Sequence, residues 1–188
     1  MRKKYIKIHY NSPVVLTFAI ISFCVLMLDV FTSGRSTYKL FSVYRAPLTD
    51  PWTYPRFFLH VLGHSGYSHY IGNMMMLLVI GPPLEERYGS RPLMWAIGFT
   101  ALVSGMVHFL FFPGTALMGA SGIVFMMIAM SSLSGMKSGS IPLTLILVLT
   151  LFIGGELVDG ILLRDDISQI THIVGGICGA LLGLSMRR

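Results

Sequence analysis

Six apolar runs divide the chain, at 14–32, 69–84, 92–112, 121–136, 141–160 and 171–186. Charged residues fall in clusters between these runs instead of spreading along amphipathic faces, the pattern that lipid exposure on most sides of each helix requires. The pattern predicts an all-α membrane protein: six transmembrane helices in one bundle, with residues 1–188 as a single domain. A crossing without tilt takes about 20 residues. The second, fourth and sixth runs are shorter and open on polar residues, so they are expected to begin below the surface and leave a water-accessible recess above them. The segment 33–68 is long for a connection and rich in aromatics, Pro and His, so it is expected to fold onto or into the membrane surface.

Composition sharpens this picture. The chain is 54% hydrophobic and only 12% charged, far more apolar than a soluble domain of its length. The net charge of +6 does not point to nucleic acid. Arg2, Lys3, Lys4, Lys7, Arg187 and Arg188 flank apolar runs, as topology-setting residues do, and no basic stripe with interleaved aromatics exists to follow a phosphate backbone. Six spans put both termini on one side. With Arg87, Arg91 and Lys137, the six flanking cations then face the cytoplasm, leaving Arg35, Lys39, Arg45, Arg56 and Arg164 outside. This predicts an integral, multi-pass membrane protein with both termini cytoplasmic. The basic start followed by an apolar run imitates a signal peptide, but no small-x-small cleavage site follows, so an uncleaved first helix is expected. Cys24 and Cys178 lie in apolar runs and are expected as buried thiols, not a disulfide. The sequence carries no indication of oligomeric state.

Polar groups inside apolar runs are costly in lipid and mark function. Three places stand out: His69 with Asn73, Ser121 within Gly119-Ala120-Ser121-Gly122, and His172. On six spans all three fall at the outer ends of the second, fourth and sixth helices, at one depth. Ser121 opens an apolar helix, where its hydroxyl and backbone N–H meet a helix N-terminus that favours a developing oxyanion. Taken alone, it reads more readily as an ordinary N-cap serine, and only the other residues change that. His172 leads Gly175, Gly179 and Gly183 along one helix face, a small-residue stripe that lets a neighbour approach closely and meet the imidazole. A neutral imidazole can take a hydroxyl proton and return it to a leaving amine. His69 and Asn73 share a helix face and can both donate, which with the Ser121 N–H makes a candidate oxyanion hole; interhelical hydrogen bonding is the plainer use of the pair. No acid is placed to orient His172. Phe125, one turn beyond Ser121, could hold the ring by packing, or be simple core.

In order and spacing, His69-x-x-x-Asn73, Gly119-x-Ser121-Gly122 and His172 leading Gly175 and Gly179 resemble the signature of the rhomboid family of intramembrane serine proteases. The resemblance runs from about Arg56 to Gly183. His60 and His64 match further family histidines, and Glu85-x-Arg87 with Gly89 resembles the family's turn after the second helix. It implies a minimal six-helix core, a Ser121–His172 dyad, and an oxyanion hole of His69, Asn73 and the Ser121 N–H. Gly119, Gly122, Phe125, Gly175, Gly179 and His64 would support the site, with no cofactor and no metal. Transmembrane proteins in the lipid bilayer would be the substrates, cut near the outer face and admitted through the region 141–170. Two positions depart from the family pattern. Pro55 precedes Arg56 where many members carry Trp, which bears on first-loop anchoring, and Phe125 replaces a frequent tyrosine, which removes a hydroxyl but keeps the ring.

Other chemistries fit less well. A catalytically silent adaptor of the same fold would have no reason to keep both Ser121 and His172. Asp29 and Asp159 lie in or near spans, but the Gly-x-Gly-Asp motif of aspartyl intramembrane proteases is absent. A metalloprotease would need His-Glu-x-x-His, and no carboxylate or cysteine joins His60, His64 and His69. A small transporter is disfavoured by the lack of repeats.

Overall fold

Helix α1, Pro13–Phe31, begins with a proline whose missing N–H costs nothing in the first turn. The next two backbone N–H groups are taken by a carboxylate from far along the chain, Glu85, at 2.9 Å to Val14 and 3.0 Å to Val15. Ser90 Oγ donates to the same carboxylate at 2.7 Å. Glu85 is 4% exposed. A buried carboxylate needs such donors, and an anion at a helix N-terminus is favoured by the macrodipole. The turn that resembles the family motif is therefore a capping device binding α1 to the end of the helix Tyr67–Tyr88.

The computed structural model describes residues 10–134 and 166–186, with isolated helical positions 143, 146, 147 and 150 between them. After α1 come two short helices of the first loop, α2 (Arg35–Leu40) and α3 (Thr53–Leu59), then a 3₁₀ turn (His60–Leu62). Helices α4 (Tyr67–Tyr88), α5 (Ser90–Phe111), α6 (Ser121–Ser134) and α7 (Asp166–Ser185) complete the described fold. Among the described residues the protein is all-helical, apart from an isolated antiparallel bridge between Val43 and Leu117. Most of the expected run 141–160 lies outside the described residues, as does Asp159.

Helices α4 and α5 are joined by Gly89 alone, at φ 89°, where a left-handed residue reverses the chain. Gly81 lets α1 approach α4: a Cβ there would lie 2.7 Å from Val15 Cγ2. Helix α6 runs through the middle of the bundle, with Ile123, Met126, Met127 and Met130 fully buried. They pack with Val15 of α1, Met74 and Leu77 of α4, Leu93 and Ala96 of α5 and Cys178 of α7. Large apolar side chains face outward instead on α1 (Ile20, Val30, Phe31), α4 (Val79), α5 (Trp95, Phe111) and α7 (Leu181). That inversion suits a bilayer as solvent. Among the described residues, α1 and α5 are long and apolar enough to cross it.

Several expectations need correction. Helix α4 is not short: it runs 22 residues, starting before His69 and continuing past Leu84 through Pro82 and Pro83. Helix α7 starts at Asp166, so His172 sits inside the helix and not at its first residue. Cys178 is buried as expected, but Cys24 is exposed, and both are free thiols. Asp29 is no buried acid in search of a partner. Its Oδ1 accepts the Thr37 N–H at 2.8 Å and Ser36 Oγ at 3.2 Å, which fixes α2 to the end of α1.

Candidate active site

The chain returns from α5 to α6 along a path pinned at each step. The His108 imidazole bonds the Thr115 carbonyl at 3.2 Å, and Val43 and Leu117 exchange backbone hydrogen bonds at 2.9 and 2.8 Å. Gly119 N–H then donates to the His60 carbonyl at 3.0 Å. Gly119 has φ 125°, where side chains are strained, and a Cβ there would lie 2.9 Å from the His69 ring. Glycine is required twice over: for the backbone turn, and for the approach of this loop to His69. The first hydrogen bond of α6, Val124 N–H to the Ala120 carbonyl, makes Ala120 the capping residue and Ser121 the first of the helix. Ala120 offers no side-chain oxygen to the first-turn N–H groups, so they stay available to an anion. Ser121 is not the N-cap serine it resembles in isolation.

Helix α7 lies against α6 at van der Waals range. A Cβ on Gly175 would collide with the Gly122 carbonyl and one on Gly179 with the Met126 carbonyl, while Gly183 faces Met130 and Leu133. Gly122 in turn admits Thr171, whose Cγ2 would be 3.2 Å from a Cβ at that position. The glycine stripe of α7 therefore meets α6, the helix that carries Ser121. His172 stacks face to face on Phe125, with ring centroids 4.2 Å apart and planes 6° from parallel. The Phe125 ring thus lies parallel to the imidazole and packs on its face.

On α4, His69 Nδ1 is 3.1 Å from Ser65 Oγ and accepts the Ser65 N–H at 3.5 Å. A ring nitrogen that accepts leaves the proton on Nε2. Asn73 spends one amide proton on the His69 carbonyl at 3.1 Å and retains the second. Ser121, His172, His69 and Asn73 all line one cavity of about 660 Å³, with Ser65, Ser68, Gly72, Ala116, Leu117, Met118 and Thr171 completing its wall.

His64 does not reach this cavity. It is fully buried behind it, edge-on to His69 at 5.1 Å and to Tyr70 at 5.5 Å, with Nδ1 on the Leu62 carbonyl at 3.1 Å. His60 is also scaffold: its Nε2 is 3.0 Å from the Ala101 carbonyl of α5, across Gly105, which leaves room for it. The three histidines thus address separate partners, Ala101, Leu62 and Ser65. Arg56, 6% exposed, anchors the first loop through the Lys39 carbonyl (2.8 Å), Asp50 (3.0 Å) and the Tyr44 ring beneath its guanidinium (4.6 Å). Pro55 does not disturb this, since it occupies the first turn of α3, where no helical N–H is needed. Sequence reasoning missed the bridge to Val43 and the wall residues Met118 and Thr171, which carry no local signal.

The model of the family described as "Rhomboid domain" matches residues 51–188. This chain belongs to the rhomboid family. Among similar curated proteins, Rhomboid-related protein 1 of Caenorhabditis elegans is 29% identical over 141 residues, covering 68% of this chain and 38% of that protein. Rhomboid-related protein 2 of Mus musculus is 28% identical over 146 residues, 70% of this chain and 47% of that one. Rhomboid protease GlpG of Pectobacterium atrosepticum is 29% identical over 131 residues, 68% and 46%. The chain spans less than half the length of these rhomboid relatives. Family membership makes the exposed apolar surface of the helices a membrane-facing one.

Proposed function

We propose that this rhomboid-family chain is an intramembrane serine endopeptidase that cuts transmembrane segments of other membrane proteins near the outer face. The observation behind this is the common cavity wall of Ser121 and His172, with the imidazole plane held by Phe125 and two donors, His69 and Asn73, opposite. Ser121 Oγ attacks the scissile carbonyl as His172 accepts its proton. The negative oxygen of the tetrahedral adduct is met by the Ser121 N–H at the start of α6, His69 Nε2–H and Asn73 Nδ2–H. Collapse of the adduct breaks the C–N bond, and His172 returns the proton to the departing amine. Water then enters the cavity, is deprotonated by His172 and releases the acyl group from Ser121.

A helical substrate keeps its carbonyls in hydrogen bonds to the i+4 N–H, so it must unwind at the cavity before attack. The region 141–170 is our proposed entrance. We take the chain as one domain of six membrane-spanning helices, with both termini cytoplasmic in a bacterial inner membrane, and assign no cofactor. GlpG is described as a protease and supports the assignment.

The test is cleavage of a single-pass substrate by purified protein, with fluorophosphonate labelling in parallel. Ser121→Ala and His172→Ala should each abolish cleavage while leaving membrane insertion intact, and the label should map to Ser121. Undiminished labelling of a His172→Ala variant would overturn the base assignment.

A further inference from the structure

Five cations were expected on the cavity side of the bundle, against the rule that favours cations on the other side. Two have structural duties. Arg45 donates to the Phe109 and Leu110 carbonyls at 3.2 and 3.3 Å, closing the end of α5, and Arg56 holds the first loop. Arg164 lies outside the described residues. Arg35 and Lys39 are left, one turn apart on α2, and among the described residues neither has a carboxylate partner, the only ion pair there being Arg56–Asp50.

Both line a second cavity of about 520 Å³ between the end of α1 and α2, which shares no wall residue with the first. Its wall is graded. Arg35, Lys39, Ser36, Ser33 and Thr32 form the polar part, while Phe31 and Leu40 form the apolar part. Phe31 is 86% exposed and follows Val30, also exposed, on the membrane-facing end of α1. The cradle is held rigidly, since Asp29 binds the start of α2 through Ser36 and Thr37, and the Lys39 carbonyl receives Arg56. The Asp29 carboxylate is thereby engaged with α2 itself.

We propose that this cleft binds the headgroup of an anionic phospholipid. The phosphodiester lies between the Arg35 guanidinium and the Lys39 ammonium, with the Ser33 hydroxyl as a further donor, since the Ser36 and Thr32 hydroxyls already donate to Asp29 and to the turn itself, and the acyl chains descend past Phe31 and Val30. Two cations without a carboxylate partner among the described residues suit a net-negative lipid. A zwitterionic headgroup would bring its own ammonium against them.

Native mass spectrometry of the full chain, titrated with phosphatidylglycerol, phosphatidylcholine or inorganic phosphate, tests this. One phosphatidylglycerol should be retained, with affinity falling about thirty-fold in Arg35→Gln/Lys39→Gln, the ratio expected for two cations near a membrane surface. The charge-preserving exchange Arg35→Lys/Lys39→Arg should keep most of the binding, and Arg91→Gln should leave it unchanged. Headgroup photo-crosslinking of the unaltered protein, which does not depend on any variant folding, should label residues 31–40. Equal retention of phosphatidylcholine, full competition by equimolar inorganic phosphate, or labelling spread over all loops would each overturn the proposal.

Discussion

At the scale of single residues, the proposed chemistry turns on how few groups are asked to do several things. Gly119 provides a left-handed turn and clears the way to His69, so His69 Nε2 and the N-terminus of α6 face the same volume. Removing one oxyanion donor costs about 10²–10³ in kcat where the donor acts mainly in the transition state. His69→Ala and Asn73→Ala should each lose about that much in steady-state cleavage, with KM little changed. A fall confined to KM would make them substrate-binding groups instead. Phe125 invites a finer test, because stacking, not a hydroxyl, is what it offers His172. Phe125→Tyr should retain activity, whereas Phe125→Leu should lose about ten-fold, the upper range for one aromatic pair. These residues were legible in the sequence because polar groups are conspicuous inside apolar runs. His64 was read as a supporting residue from the resemblance, and it packs behind His69 instead of lining the cavity; no sequence pattern separates a cavity wall from the layer beneath it.

Among the elements, the pairing of α6 with α7 matters most to the site, because it brings Ser121 and His172 to one wall. It rests on backbone contact: the Gly175 and Gly179 positions have no room for a Cβ against the Gly122 and Met126 carbonyls. Backbone cannot yield as a flexible side chain does, so Gly175→Ala should destabilise by about 1–3 kcal/mol and reduce cleavage with it. Gly176, on another face of α7 with nothing within 4 Å of its would-be Cβ, is the internal control. Gly176→Ala should be neutral or gain up to about 1 kcal/mol from helix propensity. Unfolding in mixed micelles measures both, and equal effects at the two positions would remove the close-approach argument. The stripe was visible as a period in the sequence, but its partner helix was not. Element ends were less legible: α4 and α7 both begin earlier than their apolar runs, since a helix start follows hydrogen-bond partners as well as hydropathy.

Over the whole molecule, the first loop acts as a clasp. It is tied to α1 through Asp29, to α5 through Arg45 and His60, and to the loop before Ser121 through the Val43–Leu117 bridge. Arg56 holds its two halves together. Asp50, its partner, has a carboxyl below the usual range because it accepts the Trp52 backbone N–H and then faces Arg56; desolvation opposes this. A folded pKa below the unfolded one gives stability that is present above the unfolded value, near 3.8, and is lost as pH falls through the folded value. Asp50→Asn should therefore be less stable than the unaltered protein at neutral pH, and the gap should close below about pH 4. A gap independent of pH would assign the effect to packing and not to the carboxylate.

The sequence by itself determined what the solvent sees: which segments are apolar, that those among the described residues are helices, and which polar groups they carry at a cost. Those are local properties, because each residue meets lipid or water according to its own chemistry. Only the tertiary structure decided that α6 is the central helix, that α7 lies on it, that Glu85 caps α1, and that Arg35 and Lys39 share a cleft. Such pairings depend on groups far apart in the chain fitting one volume, and hydropathy, which has no term for shape, does not encode them.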